Sequence, residues 1–534
     1  MESLQIPYKN TGYFSKIILD YLAQKETIQP FYNRFPSIDN FEAQIQEKGA
    51  SYSSESRKIL ANALEQQYVG LKTSVLTQEH INTLVLPNTF TITTGHQLNL
   101  FSGPLYFLYK IISVINLCKS LKEKYPKQNF VPVYWMASED HDFEEIQYFN
   151  SKGKKISWKR EASGAVGRLS TEGLDAVFEQ FSSQLNFGKN AEELREIFKK
   201  AYLKNENLTD ASRYLVNALF GEYGLVVIDG DDKELKALFK PYALQELEAQ
   251  TSFKNVSETN LKLEKEGYKI QVNPREVNLF YIGDQFRERI LKKEGVFQVN
   301  ETSLQFNSPL EVLKSTENST DVISGNALLR PLYQEVILPN LCYVGGGGEL
   351  AYWMQLKTTF KAFKVPFPML LLRNSALLVT EKQQQKARKL QVDFTDFFLT
   401  QNELISKKVK ERSQINFDFE SKRNQLITTF KELELLAAKT DKSFVGAVKA
   451  QEVKQLKGLK HLEKRLLKAE KKQMYDLVTR IELLQNELFP NQTLEERQRN
   501  FSDYYESYGK PFIDKLFAVL DPLEMQFSVV FLKN

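Results

Sequence analysis

Apolar and polar positions along this chain follow two rhythms, and the change between them predicts its architecture. Up to about residue 380, short apolar runs end in glycine or polar residues and lead into stretches of helical spacing. The most informative stretch is 89–121, TFTITTGHQLNLFSGPLYFLYKIISVINLCKSL. Thr89, Thr91 and Thr93, with Ile92 between, suit a short strand that Gly95 is expected to end. Gly103-Pro104 then restarts the chain as a helix, with proline in the first turn where no amide donor is lost. Leu105, Leu108, Ile112, Ile115 and Leu117 give that helix a face to bury against a sheet.

The same unit recurs. Apolar runs at 130–136, 225–228, 341–344 and 369–372 each read as a buried strand. The first ends in Glu139, Asp140, His141 and Asp142, and the second in Asp229, Asp231 and Asp232, followed by a helix over 233–249. The third ends in the run Gly345, Gly346, Gly347 and Gly348 with a helix from Glu349, and the fourth in Arg373, Asn374 and Ser375. Strands alternating with helices predict an α/β, doubly wound parallel sheet, and such sheets bind ligands at the carboxyl ends of their strands. The five polar clusters are therefore expected to converge on one crevice.

Around this core, residues 1–88 read as a helical leader, 150–222 as a first insertion and 256–318 as a second, with short antiparallel strands between 267 and 306. Core segments fall at 89–149, 223–255 and 319–380. From 381 to 500 the rhythm changes to spacings of three and four: Leu426, Phe430, Leu433 and Ala437, then Leu459, Leu462, Leu466 and Ala469. A second part of that stripe, Met474 to Leu488, follows a slip near Gln473, and 440–443 supplies the turn between two antiparallel arms. Residues 501–534 are expected to return to the core.

Composition narrows the function classes. A net charge of +4 over 534 residues makes no electrostatic case for nucleic acid, and the lysines of the arms read as a solvated face. No window approaches a membrane span and the N-terminus lacks a secretory layout, so the expected location is the cytoplasm. The two cysteines, Cys118 and Cys342, sit in apolar runs as small core residues.

Candidate chemistry lies at the strand ends. His96 and His141 are two of four histidines, suited to proton transfer or to donation toward a phosphate. Gly95, Gln97, Asn99 and Gly103 belong to the first loop, and the glycine run 345–348 offers backbone amides to an anion, with Glu349 as a first-turn acid. It lacks the Lys-Ser/Thr of a P-loop. Arg330 and Arg373 suit bidentate binding of a carboxylate or phosphate, or a structural ion pair. The Asp140-His141-Asp142 cluster leaves a metal-dependent hydrolase open, although no tight ligand spacing requires a metal.

Three motifs, TGHQLNLFSGPLY, VYWMASEDHDFEEI and YVGGGGELAYWMQLK, in this order and ahead of a coiled coil, resemble the cysteine-adding ligase family of bacillithiol biosynthesis over essentially the whole chain. The resemblance implies addition of cysteine to the amino group of glucosaminyl-malate. It also implies a Rossmann-like core with two connecting insertions, like class I aminoacyl-tRNA synthetases, and a homodimer formed through the coiled coil. Residues 94–97 take the place of that wider group's His-Ile-Gly-His signature, with one histidine matched, and its Lys-Met-Ser-Lys-Ser loop is absent. Amide formation needs an activated carboxylate, most simply through ATP. In this reading His96 stabilises developing negative charge, Asp140 or His141 is the base, and Arg330 or Arg373 anchors a carboxylate; Glu139, Asp142 and Asn374 belong to the binding set. Arg497 and Asn500, where the coiled coil meets the core, are read either as a surface helix start or as a second nucleotide site. The reading from another class is a coiled-coil scaffold that keeps a vestigial nucleotide pocket.

Overall fold

The computed structural model describes residues 2–317 and 322–533. Its central sheet has five strands: β1 (Thr89–His96), β2 (Asn129–Met136), β3 (Val226–Asp229), β4 (Asn340–Gly345) and β5 (Met369–Leu372). They are ordered β5-β4-β1-β2-β3, and every neighbouring pair is parallel. The chain builds outward from β1 to β3, then crosses back to lay β4 and β5 on the other side. This is the doubly wound, Rossmann-like order, and the crossing leaves a crevice between the carboxyl ends of β1 and β4. The strands are buried along most of their length because helices cover both faces, with Thr91 and Thr93 both donating to the Asn340 side chain inside. Helix α1 (Tyr106–Lys124) follows β1 and buries Ile111, Ile112, Val114, Ile115 and Leu117.

Strand β1 does not stop at Gly95. It runs on to His96, with Gly95 opposite Trp135 and His96 opposite Met136. The turn comes later, where Phe101, Ser102 and Gly103 have φ of +48°, +66° and +63°. A left-handed Phe or Ser costs roughly 1–2 kcal/mol, so other elements must hold the turn. The Phe101 ring sits among Phe149, Phe181, Phe198 and Phe501, and its N–H donates to the Tyr202 hydroxyl at 2.9 Å. The Asn500 amide donates to the carbonyls of Phe101 and Gly103, each at 2.7 Å.

The first insertion forms a hairpin (Tyr148–Ser151 with Lys154–Ser157) and helices Leu174–Gln184, Lys189–Tyr202 and Leu208–Phe220. The second is an antiparallel sheet of Leu279–Ile282, Arg287–Lys293, Val296–Val299 and Gln305–Phe306. Val322–Gly325 completes it by pairing with Leu279–Ile282, so the strand after residue 321 belongs to this sheet and not to the core. The boundary expected at 318–319 lies outside the described residues.

Helices Glu420–Ala437 and Lys442–Gln473 form the coiled-coil arms, and the Asp441 carboxylate caps the second by accepting the N–H groups of Ser443 and Phe444. The slip near Gln473 is a helix break at Met474, before Tyr475–Leu488. Two ends of the chain meet in a separate sheet: Gln526–Phe531 pairs with Ser3–Pro7 and with Ala376–Val379. The leader thus opens on a strand before its helices, and the tail joins this small sheet instead of the central one. Among the described residues no helix is long and apolar enough to cross a membrane.

Gly103 tests the turn. A side chain there would start 2.6 Å from the Asn99 Cβ and would have to hold a φ of +63°. Gly103→Ala is expected to destabilise the protein by about 1–3 kcal/mol, read as a fall in the urea midpoint; an unchanged midpoint would show that the turn relaxes freely.

Candidate active site

The carboxyl ends of four central strands close around one cavity of ≈ 290 Å³. Gly95 and His96 come from β1, Ala137 follows β2, Gly346 to Glu349 follow β4, and Arg373 follows β5. Helix α2 (Arg330–Ile337) adds Arg330 and Gln334, α1 adds Tyr106 and Lys110, and Arg497 enters from the segment after the coiled coil. The cavity therefore occupies the switch-point crevice.

At its floor, Lys110 spans the two halves of the sheet. Its Nζ donates to the Gly95 carbonyl at 2.6 Å and pairs with Glu349 at 2.7 Å. Glu349 lies in helix α3 (Gly347–Trp353), accepts the Gly346 N–H at 2.8 Å and takes the Tyr343 hydroxyl at 2.7 Å. Burial alone would raise the Glu349 carboxyl, but the Lys110 charge and these hydrogen bonds hold it below its ordinary value. The glycine run consequently differs from an anion nest. None of Gly345 to Gly348 has positive φ, and the protein's own carboxylate caps the helix. Glycine is needed at 345 for close approach: a Cβ there would lie 2.8 Å from Tyr343 and 2.9 Å from Leu350.

His96 lies edge-on to Tyr106, with ring centroids 5.4 Å apart, and 5.2 Å from Phe107. Burial, then the charges of Lys110 and Arg373, push its pKa well below the usual imidazole range, so the ring is neutral near pH 7. Its Nε2 is sealed from solvent and has no hydrogen-bond partner among the described residues. A buried neutral imidazole with a spare nitrogen on a cavity wall can make one hydrogen bond to a bound molecule.

Arg373 is anchored and still reaches the cavity. It donates to Glu496 at 2.7 Å, while its Nε, unpartnered among the described residues, lies 3.7 Å from where a Gly346 side chain would begin. Arg373 and Arg497 both lie over Tyr106, at 4.8 Å and 6.0 Å from its ring. Arg330 stands 3.4 Å from Asp140. Burial would raise the Asp140 carboxyl, but the His141 hydrogen bond and the charges of Arg330 and Arg287 carry it far below the carboxylate range. Gln97 donates to the same carboxylate at 2.7 Å. Asp140 thus clamps the rim and is too acidic to serve as a base. His141 turns Nδ1 toward Arg287, 2.6 Å away, and does not line the cavity.

Other expected residues have structural work. Glu139 is buried in an ion pair with Lys236, and Asp142 caps the helix Phe143–Ile146 by accepting the Glu145 N–H. Asn374 is buried between Ser113 and the Asp521 carbonyl. Asp140, His141 and Asp142 thus serve separate elements and form no metal-ligating group among the described residues. Asn500 holds the 101–103 turn, while Arg497 joins the main cavity. Arg497 also borders a small cleft with Asn99 and Gly103, where the Asn99 amide donates to the Glu145 carbonyl. The cluster at Asp229 and Asp231 does not converge either: β3 is the edge strand two places from β1, and its acids meet Arg168 and Arg213 in another cleft. Sequence reasoning missed Lys110, Tyr106, Glu145 and Gln334. Lys110 carried a signal, as a lone charge within the apolar face of α1.

A doubly wound sheet with cations gathered at its switch point, joined to a coiled coil, defines a Rossmann-like α/β protein with a polar cavity at that point. Residues 1–374 match the family described as "Bacillithiol biosynthesis BshC, N-terminal Rossmann-like domain", and residues 376–532 match its "C-terminal coiled-coil domain". The chain belongs to this bacillithiol biosynthesis family. It is 54% identical to "Putative cysteine ligase BshC" of Christiangramia forsetii, over 98% of both chains. The protein of that name in Flavobacterium johnsoniae is 54% identical over 98% of this chain and 99% of its own, and that of Cytophaga hutchinsonii 38% over 97% of each.

The Asp140 clamp predicts a pH dependence. A carboxyl depressed by folding stabilises the native state above its unfolded value, about 3.9, and loses that contribution as pH falls toward the folded value. Urea unfolding is expected to show Asp140→Asn less stable than wild type by a constant margin between about pH 5 and 8, shrinking below about pH 4.

Proposed function

We propose that the protein is a ligase that joins the carboxyl group of cysteine to the amino group of glucosaminyl-malate, forming bacillithiol, with ATP as the substrate that activates the carboxylate. The observation that carries the reading is the charge of the cavity. Lys110, Arg330, Arg373 and Arg497 surround a neutral His96 whose Nε2 is free among the described residues. Such a wall suits substrates bearing carboxylates and phosphates. The names of the relatives support the same chemistry.

In this mechanism Arg330, fixed by Asp140, holds a carboxylate of the malate arm. Arg373 and Arg497 attract the phosphates, with Arg373 held in place by Glu496. His96, with hydrogen on Nε2, donates to the oxygen that gains negative charge as the amine adds to the activated carbonyl. A scaffold would need none of these groups around a closed crevice. The enzyme would act in the cytoplasm as a homodimer joined through the coiled coil, where Leu435, Leu436, Phe444 and Leu462 are at least half exposed. Leu435→Glu with Leu436→Glu is expected to halve the mass seen by light scattering; an unchanged mass would remove the coiled coil as the dimer contact.

The deciding experiment is reconstitution with purified protein, cysteine and glucosaminyl-malate, with and without ATP. Product is expected only with ATP. His96→Ala is expected to lower kcat by about 10²–10³-fold, the usual effect of losing one oxyanion donor, with the fold intact by circular dichroism. Product formed without ATP would refute the activation step, and full activity of His96→Ala would refute the histidine's role.

A further inference from the structure

The ligation requires a base for the attacking amine, and neither residue suggested by the sequence fills that position. Asp140 is held as an anion by arginines, and His141 faces Arg287 outside the cavity. Two carboxylates do line the cavity, those of Glu145 and Glu349. Glu349 is fully engaged by Lys110, Tyr343 and the Gly346 N–H.

Glu145 differs. Its main chain is fixed on both sides, with the N–H donating to Asp142 at 3.1 Å and the carbonyl accepting from Asn99 at 3.0 Å. Among the described residues its carboxylate accepts no hydrogen bond and joins no ion pair. The charged groups facing it are Asp140 and Asp142, which repel its negative charge, and Arg330 and Lys110, which attract it. Glu145 stands solvent-exposed at the cavity edge, and partial desolvation, then the two aspartates, raise its pKa above the ordinary glutamate value, which makes it a stronger base than an isolated glutamate.

An ammonium group brought into this cavity meets repulsion from Lys110, Arg330, Arg373 and Arg497. It can settle only beside a negative charge that nothing else neutralises. We propose that Glu145 binds the ammonium group of the amino-sugar substrate and acts as the general base of the ligation. This rests on the ligase reading. One proton passes from the ammonium to the Glu145 carboxylate, and the freed lone pair forms the C–N bond to the activated cysteine carbonyl. As the adduct collapses, the C–O bond to the phosphate-bearing leaving group breaks with its electron pair on that group. The second nitrogen proton leaves to water. No atom is oxidised or reduced.

The test compares two ligands by calorimetry, glucosaminyl-malate and its N-acetyl derivative, which keeps the sugar and malate and lacks the ammonium. Glu145→Gln is expected to weaken binding of the amine by about ten- to a hundredfold, as for loss of a charge-assisted hydrogen bond, and to leave the N-acetyl derivative unchanged. In turnover, the fall of kcat/KM on the acid side of the wild-type pH profile is expected to disappear in Glu145→Gln and to persist, at lower rate, in Glu145→Asp. Equal weakening of both ligands, or of neither, overturns the assignment while leaving the ligase reading intact. Failure of the wild type to bind either ligand overturns both.

Discussion

An ion pair with a buried lysine and a partly exposed glutamate crosses the point where the central sheet changes direction. Lys110 belongs to the helix after β1 and Glu349 to the helix after β4, the two strands that part to form the crevice. A charge removed from water is tolerated only when its hydrogen-bonding groups and those of its partner are satisfied. Here the Gly95 carbonyl, the Gly346 N–H and the Tyr343 hydroxyl meet that need. The pair therefore fixes the cavity floor and the distance between the two halves of the fold. It also consumes the Gly346 amide at the start of the glycine run.

The arginines follow the same logic at the walls. Two of them are tied in place: Arg330 to Asp140, and Arg373 to Glu496 with its Nε left over. A guanidinium held this way loses little freedom when a substrate arrives, so its hydrogen bonds are formed without further ordering. His96 completes the arrangement by staying neutral, because burial, and then repulsion from Lys110 and Arg373, disfavours its protonation.

Much of this was legible in the chain. Four apolar runs ending in polar residues and the β-branched threonines of β1 located the central strands, and their alternation with helices gave the parallel sheet. The loop after β1 and the residues after β4 and β5 met in one cavity as expected. What could not be read was which polar residues face inward. Glu139, Asp142 and Asn374 carry the same side-chain chemistry as true cavity residues, and only the packing shows them paired, capping or buried. The Asp229 cluster failed for another reason: local pattern identifies a strand end but not its rank in the sheet, and β3 lies two strands from the β1–β4 crevice. The five-residue strand Ser3–Pro7 was too short to show a period, and its partner lies more than 500 positions away.

That last pairing bears on how the fold closes. Ser3–Pro7 and the strand beside it, Gln526–Phe531, lie more than 500 positions apart. Glu496, which neutralises Arg373, and Arg497 likewise come from beyond the coiled coil. The central sheet has all its strands by Leu372, yet its crevice lacks one arginine and leaves another unneutralised until the segment after the coiled coil docks. Assembly of the cavity is thus coupled to the docking of that distant segment.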